Sequence, residues 1–486
     1  MAELTSNRLD TYRGNDKVLI GIILGLLSFW LFAMTMLIIQ NEVQQDLGIE
    51  MSALSLAVTL TSLVSGVTIV MLGKFADRYG RAKFLRYGFY AAILGSLLIA
   101  ITPTHSNLTV PVMVLGRVLQ GLSGAFIMPS SLALIRQFWD EKERQRAFSL
   151  WSMGTWGGMS FATFVGTNLN SLIGWRWIFI IATITSIVGL LLVREIPNHR
   201  VEGIKDSKFD VIGMLVFMVS VICIMLVVNF GSTWGWGSPI TLLLMAFFLI
   251  GIILFASIEA NVSDPFVNIR LFGNKTFTGA TISNFILNST AGVLVVVPAL
   301  MSSATDYDQS VVGFLSIGYG VVIISFMRMG EKLLQRFGPR KPMVWGALIV
   351  LLSFLVMAPT NMMREGYLVF MAIGYALFGL GLAFYATPSI DAAISTLPLE
   401  AAASGSGIYK MASSLGSAFG IAISSTIYYS LVRGDEALSF INSIFVGEQS
   451  NVLFRQSAMI AILFNVVIVL FAVFVICVTV PKLQRK

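Results

Sequence analysis

The 486 residues are 56% hydrophobic and 12% charged, with a mean hydropathy of +0.83. Soluble domains carry about a quarter charged residues, so this composition excludes a soluble globular protein and indicates a chain that crosses a bilayer many times. The net charge of +7 then reports loop topology rather than a nucleic-acid surface.

Residues 1–17 are polar and mixed in charge, and a full-length apolar run begins at Val18. That is the pattern of a retained first spanning helix, not of a cleaved signal peptide. Apolar runs of roughly 20 residues can span as helices. Fourteen are expected, near 18–40, 52–72, 84–102, 110–135, 146–169, 175–194, 210–230, 239–258, 276–302, 311–328, 342–358, 366–390, 402–430 and 458–480. Cys223 and Cys477 lie inside such runs, and His105 and His199 in separate loops. Neither a disulfide framework nor a metal site is implied, and no cofactor is expected.

The cations orient the chain. With the N-terminus inside, the outer segments hold only Arg176, Arg364, Arg433 and Arg455, and two cations, Arg117 and Lys410, fall within the spans. The rest of the 32 Lys and Arg lie in inner segments. This bias predicts an even helix count with both termini cytoplasmic. The stretch 431–458 is then the one long outer loop, and no soluble domain is expected.

The inner segment Gly73-Lys74-Phe75-Ala76-Asp77-Arg78-Tyr79-Gly80-Arg81-Ala82-Lys83 stands out. Five cations, Lys74, Arg78, Arg81, Lys83 and Arg86, crowd around one acid, Asp77. The glycines permit close backbone approach, and an acid among cations can form an ion-paired latch, so Gly73, Asp77, Arg78, Gly80, Arg81 and Lys83 are candidates for a conformational switch. The plainer reading is a charged topogenic loop.

The chain also repeats itself at one constant spacing. Arg78 falls on Arg336, Gly80 on Gly338, Lys83 on Lys341 and Gly88 on Gly346. Gly116 falls on Gly374, Gly121 on Gly379, Met153 on Met411 and Gly158 on Gly416. The copies are parallel, which fits two six-helix halves, 1–194 and 276–486, with a linker and two inserted helices in 195–275. In the second copy Gln335 replaces Asp77 and Pro339 replaces Arg81.

A parallel duplication is how rocking transporters are built. The turn Gly73–Lys83 resembles the loop between helices two and three of the major facilitator superfamily, and Arg117-Val118-Leu119-Gln120-Gly121 resembles an element of helix four in its drug exporters. Gly174-Trp175-Arg176-Trp177, Phe209-Asp210-x-x-Gly213 and Pro265-Phe266-x-x-x-Arg270 resemble the fourteen-helix drug:proton antiporter branch. Thr387-Pro388-Ser389-Ile390-Asp391 and Gly407-Ile408-Tyr409-Lys410-Met411 look closest to Nor-type quinolone exporters of Gram-positive bacteria. The resemblance implies an all-α major facilitator fold in the cell membrane. It implies export of amphipathic drugs (quinolone-like compounds, cationic dyes, quaternary ammonium) by proton antiport through alternating access, with the monomer as the working unit. The rival reading is a carrier for one defined metabolite, fatty acid or lipid precursor. A membrane enzyme or receptor is disfavoured, since there is no phosphate loop and no metal cluster in the sequence.

Three residues are candidates for proton coupling. Arg117 inside a span needs water or a partner. It is either tied to backbone carbonyls or a mobile cation lining a cavity, and the resemblance implies a part in proton transfer. Lys410 either snorkels to the inner face or pairs with Asp391 at the inner end of the preceding helix. No Asp or Glu lies mid-span, so Asp391 is the leading coupling acid, with Asp77 and Glu331 behind it. The run 146–169 has Gly154-Thr155-Trp156-Gly157-Gly158 where the family's antiporter element has a Gly-Pro pair, so the expected kink is missing. Candidates for a substrate cavity are Phe29, Trp30, Met34, Met128, Trp151, Trp156, Asn284, Asn288, Tyr375, Tyr385 and Tyr409, aromatic, amide or thioether groups that suit flat or cationic compounds. Asn284 and Asn288, one turn apart, either bind substrate or bridge to another helix. Pro129 and Pro388 mark places where a helix can bend.

Overall fold

The computed structural model describes residues 12–159, 169–170, 172–198, 210–262, 265–267, 269–304, 309–433, 447 and 450–482. All regular structure among them is helical. Helix α1 (Asp16–Ile38) starts at Asn15, whose side chain accepts from the Val18 N–H at 2.8 Å, which satisfies one donor of the first turn. After short α2 (Gln40–Leu47), α3 (Met51–Tyr79) and α4 (Arg81–Ala100) are separated by Gly80 alone. Its φ of 113° is open to glycine and strained for other residues. Next come α5 (Thr109–Phe138), with Pro129 inside it, and α6 (Glu141–Ser152), which passes into a π-helical turn at Met153–Gly157. Helices α7 (Trp175–Val193), α8 (Val211–Trp234) and α9 (Pro239–Asn261) follow. The expected run 276–302 is two helices, α10 (Lys275–Ser289) and α11 (Val293–Ala304), joined by a 3-10 turn at Thr290–Gly292. The chain continues through α12 (Gln309–Phe337), α13 (Arg340–Met357) and α14 (Arg364–Ile394, with Pro388 inside). It ends with α15 (Ala402–Arg433) and α16 (Val452–Thr479).

Among the described residues, twelve helical stretches are long and apolar enough to cross a membrane. The two expected runs outside that set are α12 and the run 146–169, of which 160–168 lie outside the described residues. Large apolar side chains such as Leu242, Leu243, Phe247, Ile250 and Ile253 on α9 are exposed, as a helix surrounded by lipid requires. The protein is an all-α, multi-pass membrane protein.

Its contacts form two compact units. Unit 1 comprises residues 1–226, 242–277 and 393–411, and unit 2 comprises 227–241, 278–392 and 412–486. Within unit 1, a Cβ on Gly88 would meet Ile127 at 2.6 Å, one on Gly116 would meet Ile99 at 2.9 Å, and one on Gly121 would meet Thr61 O at 2.7 Å. Within unit 2, Gly346 faces Tyr385 N at 2.8 Å, Gly374 faces Met357 at 2.5 Å, and Gly379 faces Tyr319 O at 2.7 Å. Both the glycines and the residues they meet are separated by the spacing that relates Arg78 to Arg336. The duplication is therefore one of packing as well as of sequence, with small residues letting helices meet backbone to backbone.

Trp175 is 5% exposed and donates its Nε1–H to Asp46 Oδ2 at 3.1 Å, while Trp177 is exposed. Burial pushes the Asp46 carboxyl up, but the bonds from Arg176 and Trp175 outweigh it and hold the group below the usual aspartate range. Arg455, placed in the outer loop by the charge count, lies in the first turn of α16, is 2% exposed, and bonds to the carbonyls of Ser450, Thr360 and Met362. The kink expected to be missing near Gly154 has a counterpart in the π-helical turn, which is itself a common place for a helix to bend.

The repeated glycine contacts predict matched costs. Gly121→Val and Gly379→Val should each lose about 1–3 kcal/mol to overpacking, seen as lower melting temperatures in detergent. Gly237→Ala, which has open space around it, should leave the melting temperature unchanged.

Candidate functional site

The turn between α3 and α4 is built around a buried acid. Asp77 is 2% and Arg81 1% exposed. Arg81 donates to Asp77 Oδ1 from Nε at 2.9 Å and from Nη2 at 2.7 Å. The remaining capacity of the carboxylate is taken up by the start of α15. The Ala403 N–H donates to Oδ1 at 3.1 Å, the Ser404 N–H to Oδ2 at 2.8 Å, and Ser404 Oγ to Oδ2 at 3.1 Å. These amides belong to the first turn of a helix and have no partner within it. A carboxylate there also meets the positive end of the helix dipole. Arg81 completes the network with Gln137 Oε1 at 2.9 Å and the Leu399 carbonyl. All of these residues lie in unit 1.

Glycine makes this approach possible. A Cβ on Gly73 would lie 2.6 Å from Ala403 O, and one on Gly407 2.9 Å from Ile69 O. Thus α3 and α15 cross with backbones in contact at both glycines. The outer cations do different work: Lys83 is exposed over the Tyr87 ring at 5.6 Å, and its N–H donates to Asn198 Oδ1 at 3.2 Å. Arg78 lies 5.8 Å from the Tyr79 ring centroid. In unit 2, the image of the turn has its acid one turn earlier. Glu331 pairs with Arg328 and accepts from Gln335 Nε2 at 3.1 Å, all within α12.

Arg117 is fully buried. It donates to three backbone carbonyls, Ala57 at 3.2 Å, Phe32 at 3.0 Å and Val58 at 3.3 Å, and to Gln120 Oε1 at 2.8 Å. None of these partners is an acid. The guanidinium stitches α1, α3 and α5 together, which is the carbonyl-tied arrangement of the two open readings.

Lys410 is 8% exposed, with its ammonium 5.3 Å from the Trp151 ring centroid, a cation–π contact in a site from which water is largely removed. Trp151 is held by its Nε1–H, which donates to Ser131 Oγ at 2.9 Å. Lys410 and Trp151 belong to unit 1, and Asp391, half-buried in α14, to unit 2.

The cavity candidates fall into two groups. In unit 1, Phe29 packs edge-on against Trp30 at 5.3 Å, Trp30 Nε1 is buried without a hydrogen-bond partner among the described residues, Met128 and Tyr409 are buried, and Trp156 sits half-buried in the π-helical turn. The side chain of Met34 lies outside the described residues. In unit 2, Asn284 Nδ2 donates to Ser413 Oγ at 2.6 Å, and Asn288 Nδ2 donates to Asn284 Oδ1 at 2.9 Å. The two amides thus share one direction, and Asn284 bridges α10 to α15. Tyr385 OH pairs with Ser283 Oγ at 2.7 Å and accepts from Ser389 Oγ, while Tyr375 OH is buried without a hydrogen-bond partner among the described residues.

A sequence model of the Major Facilitator Superfamily matches residues 21–421 and 276–485. The chain belongs to the major facilitator superfamily. It is 39% identical over 419 residues to "Quinolone resistance protein NorB" of Staphylococcus aureus strain MRSA252, covering 86% of this chain and 89% of that one. It is 37% identical over 473 residues to the protein of that name from strain COL, covering 97% of each. Among solved structures it resembles the proton:xylose symporter XylE (TM-score 0.62, 14% identity, 97% of this chain and 98% of that one) and the human organic anion transporter MFSD10 (TM-score 0.62, 13% identity, 93% and 98%). At such identities these structures speak for the fold.

For a major facilitator chain, the sequence pointed to Asp77 and its glycines but not to their partners. Ser404, Gln137 and the amide of Ala403 carry no side-chain pattern that marks them. Gly407 was legible only as part of the run Gly407-Ile408-Tyr409-Lys410-Met411. Bonds to charged groups contribute about 1.5–3 kcal/mol each. Asp77→Ala should therefore speed hydrogen exchange at the amides of Ala403 and Ser404 at least tenfold, read by mass spectrometry. Gln335→Ala should leave that peptide unchanged.

Proposed function

We propose that this chain exports amphipathic drugs from the cytoplasm, quinolone-like compounds, cationic dyes and quaternary ammonium ions among them, by proton antiport through alternating access. The observation that carries the reading is likeness along nearly the whole chain to proteins named for quinolone resistance. The chemistry in unit 1 is consistent with it. In this reading the halves are 1–194 and 276–486, with the inserted pair in 195–275. The protein works as a monomer in the cell membrane with both termini in the cytoplasm.

The Asp77 network acts as a latch of the cycle. It forms when Gly73 and Gly407 bring α3 and α15 together, and its rupture returns a carboxylate, a guanidinium and two amides to water, where each is solvated. Lys410 and Asp391 carry the proton coupling, and Arg117 acts as a fixed buried charge rather than a swinging one. The aromatic rings of unit 1 and the amides and tyrosines of unit 2 supply faces for varied flat or cationic compounds.

The test is substrate-driven proton movement in proteoliposomes, with the pH gradient collapsed as control. Proton movement coupled to a quinolone or a cationic dye is expected, and transport of one solute untouched by such compounds would favour the metabolite carrier instead. Transport indifferent to the collapsed gradient would remove the antiport step. Asp77→Asn should slow transport far more than Gln335→Ala, and Lys410→Ala should abolish it. Equal effects of the first two would leave the turn a topogenic loop.

A further inference from the structure

Two buried acids lie in unit 1 beside the switch segment but outside the Asp77 network. Asp210 precedes α8 and is 8% exposed, and Glu259, near the end of α9, is 5% exposed. One oxygen of each has a structural task. Asp210 Oδ1 accepts the Gly213 N–H at 2.8 Å and so caps α8. Glu259 Oε1 accepts the Val267 N–H at 3.1 Å and so fixes the loop after α9. The other oxygens, Asp210 Oδ2 and Glu259 Oε2, are buried and have no hydrogen-bond partner among the described residues. Both side chains converge on the space left by Gly213. A Cβ there would lie 2.1 Å from Asp210 Oδ2 and 3.1 Å from Glu259 Oε1.

Capping alone leaves two acceptor oxygens unsatisfied in a dry place, a costly arrangement for ionised groups. Burial beside a second carboxyl disfavours the charged form of a carboxylate and favours taking up a proton. The surroundings strengthen this. Phe217, Phe255 and Phe266 form an apolar wall, with Phe217 5.1 Å from Phe255 and 5.5 Å from Phe266. Among the described residues, the charged groups that face Glu259 are Asp210 and, from α3, Lys74. Lys74 is the residue after Gly73, and its ammonium donates to the Pro265 carbonyl at 3.1 Å, in the loop that Glu259 fixes.

We propose that Glu259, set against Asp210, is a proton-binding site, and that its occupancy sets how firmly the α9 loop holds Lys74 beside the Asp77 latch. With the proton bound, Glu259 is neutral toward the lysine. When the proton leaves to water, the Glu259 carboxylate faces the ammonium and draws it in. The inserted pair of helices thus gives the switch segment a proton-dependent anchor. The proposal stands apart from drug export, and both tests below are made without substrate.

The first test is infrared difference spectroscopy on the full-length protein in lipid nanodiscs, wild type against Asp210→Asn and Glu259→Gln. Amide oxygens keep accepting from Gly213 and Val267, so the variants retain the fold. A protonated-carboxyl band at neutral pH is expected in the wild type, weakened in Asp210→Asn and lost in Glu259→Gln. A band unchanged in Glu259→Gln, or none in the wild type, overturns the proton site. The second test is amine labelling of Lys74, normalised to exposed Lys83, as pH is raised. The ratio should fall several-fold in the wild type and stay flat in Glu259→Gln. The same profile in both proteins overturns the link to Lys74.

Discussion

A carboxylate in an apolar interior must have nearly every lone pair occupied, and Asp77 sets that condition for much of unit 1. Its partners come from its own turn, through Arg81, and from the first turn of α15, through two amides and a hydroxyl. Arg81 is itself buried, so its remaining donors must also be met, and Gln137 and the Leu399 carbonyl meet them. Five chain segments are fixed by one ionised pair. Taking two charges out of water costs several kcal/mol per ion, and only the full set of bonds offsets that cost. The arrangement is accordingly cooperative: removing one member leaves a buried charge rather than a weakened contact.

The duplication shows what is general and what is particular in this device. Glycine contacts recur in both units at the same spacing, so helix packing was copied with the sequence. The acid was not. Glu331 sits one turn before the position equivalent to Asp77 and bonds to Arg328 and Gln335 on its own helix. The amides at the head of α15 are matched to Asp77, and it is there that a charge and a helix end meet across separate segments.

The sequence made the helices, the repeat and the glycine-bounded acid legible, because each leaves a mark in side-chain pattern: apolar length, constant spacing, a lone acid among cations. It left the cage around Arg117 open between two readings, because the cage is made of carbonyls that every residue possesses. The burial of Trp175 was hidden for a related reason, since it depends on Asp46 reaching across from α2. The break at Thr290–Gly292 has no proline to announce it. It faces α15 where a Cβ on Gly292 would lie 2.3 Å from Gly420 O, a contact known only once the helices are packed. The π-helical turn likewise replaces a signal that sequence reading seeks in proline.

Buried charge is handled in two ways in this protein, and the difference bears on which groups move. Arg117 and Arg455 are held largely by backbone carbonyls of helices and turns. Releasing such a cation gains nothing from the carbonyls it leaves. Asp77 is held by helix-end amides that water can satisfy equally well, and by an arginine that water also solvates. The free-energy difference between the closed and the hydrated arrangement is therefore the small remainder of large opposing terms. A contact of that kind can be made and broken by a modest input, such as a proton or a bound cation, whereas a carbonyl cage resists it. That balance is what the proposed switch at Asp77 requires, and the carbonyl cage of Arg117 does not share it.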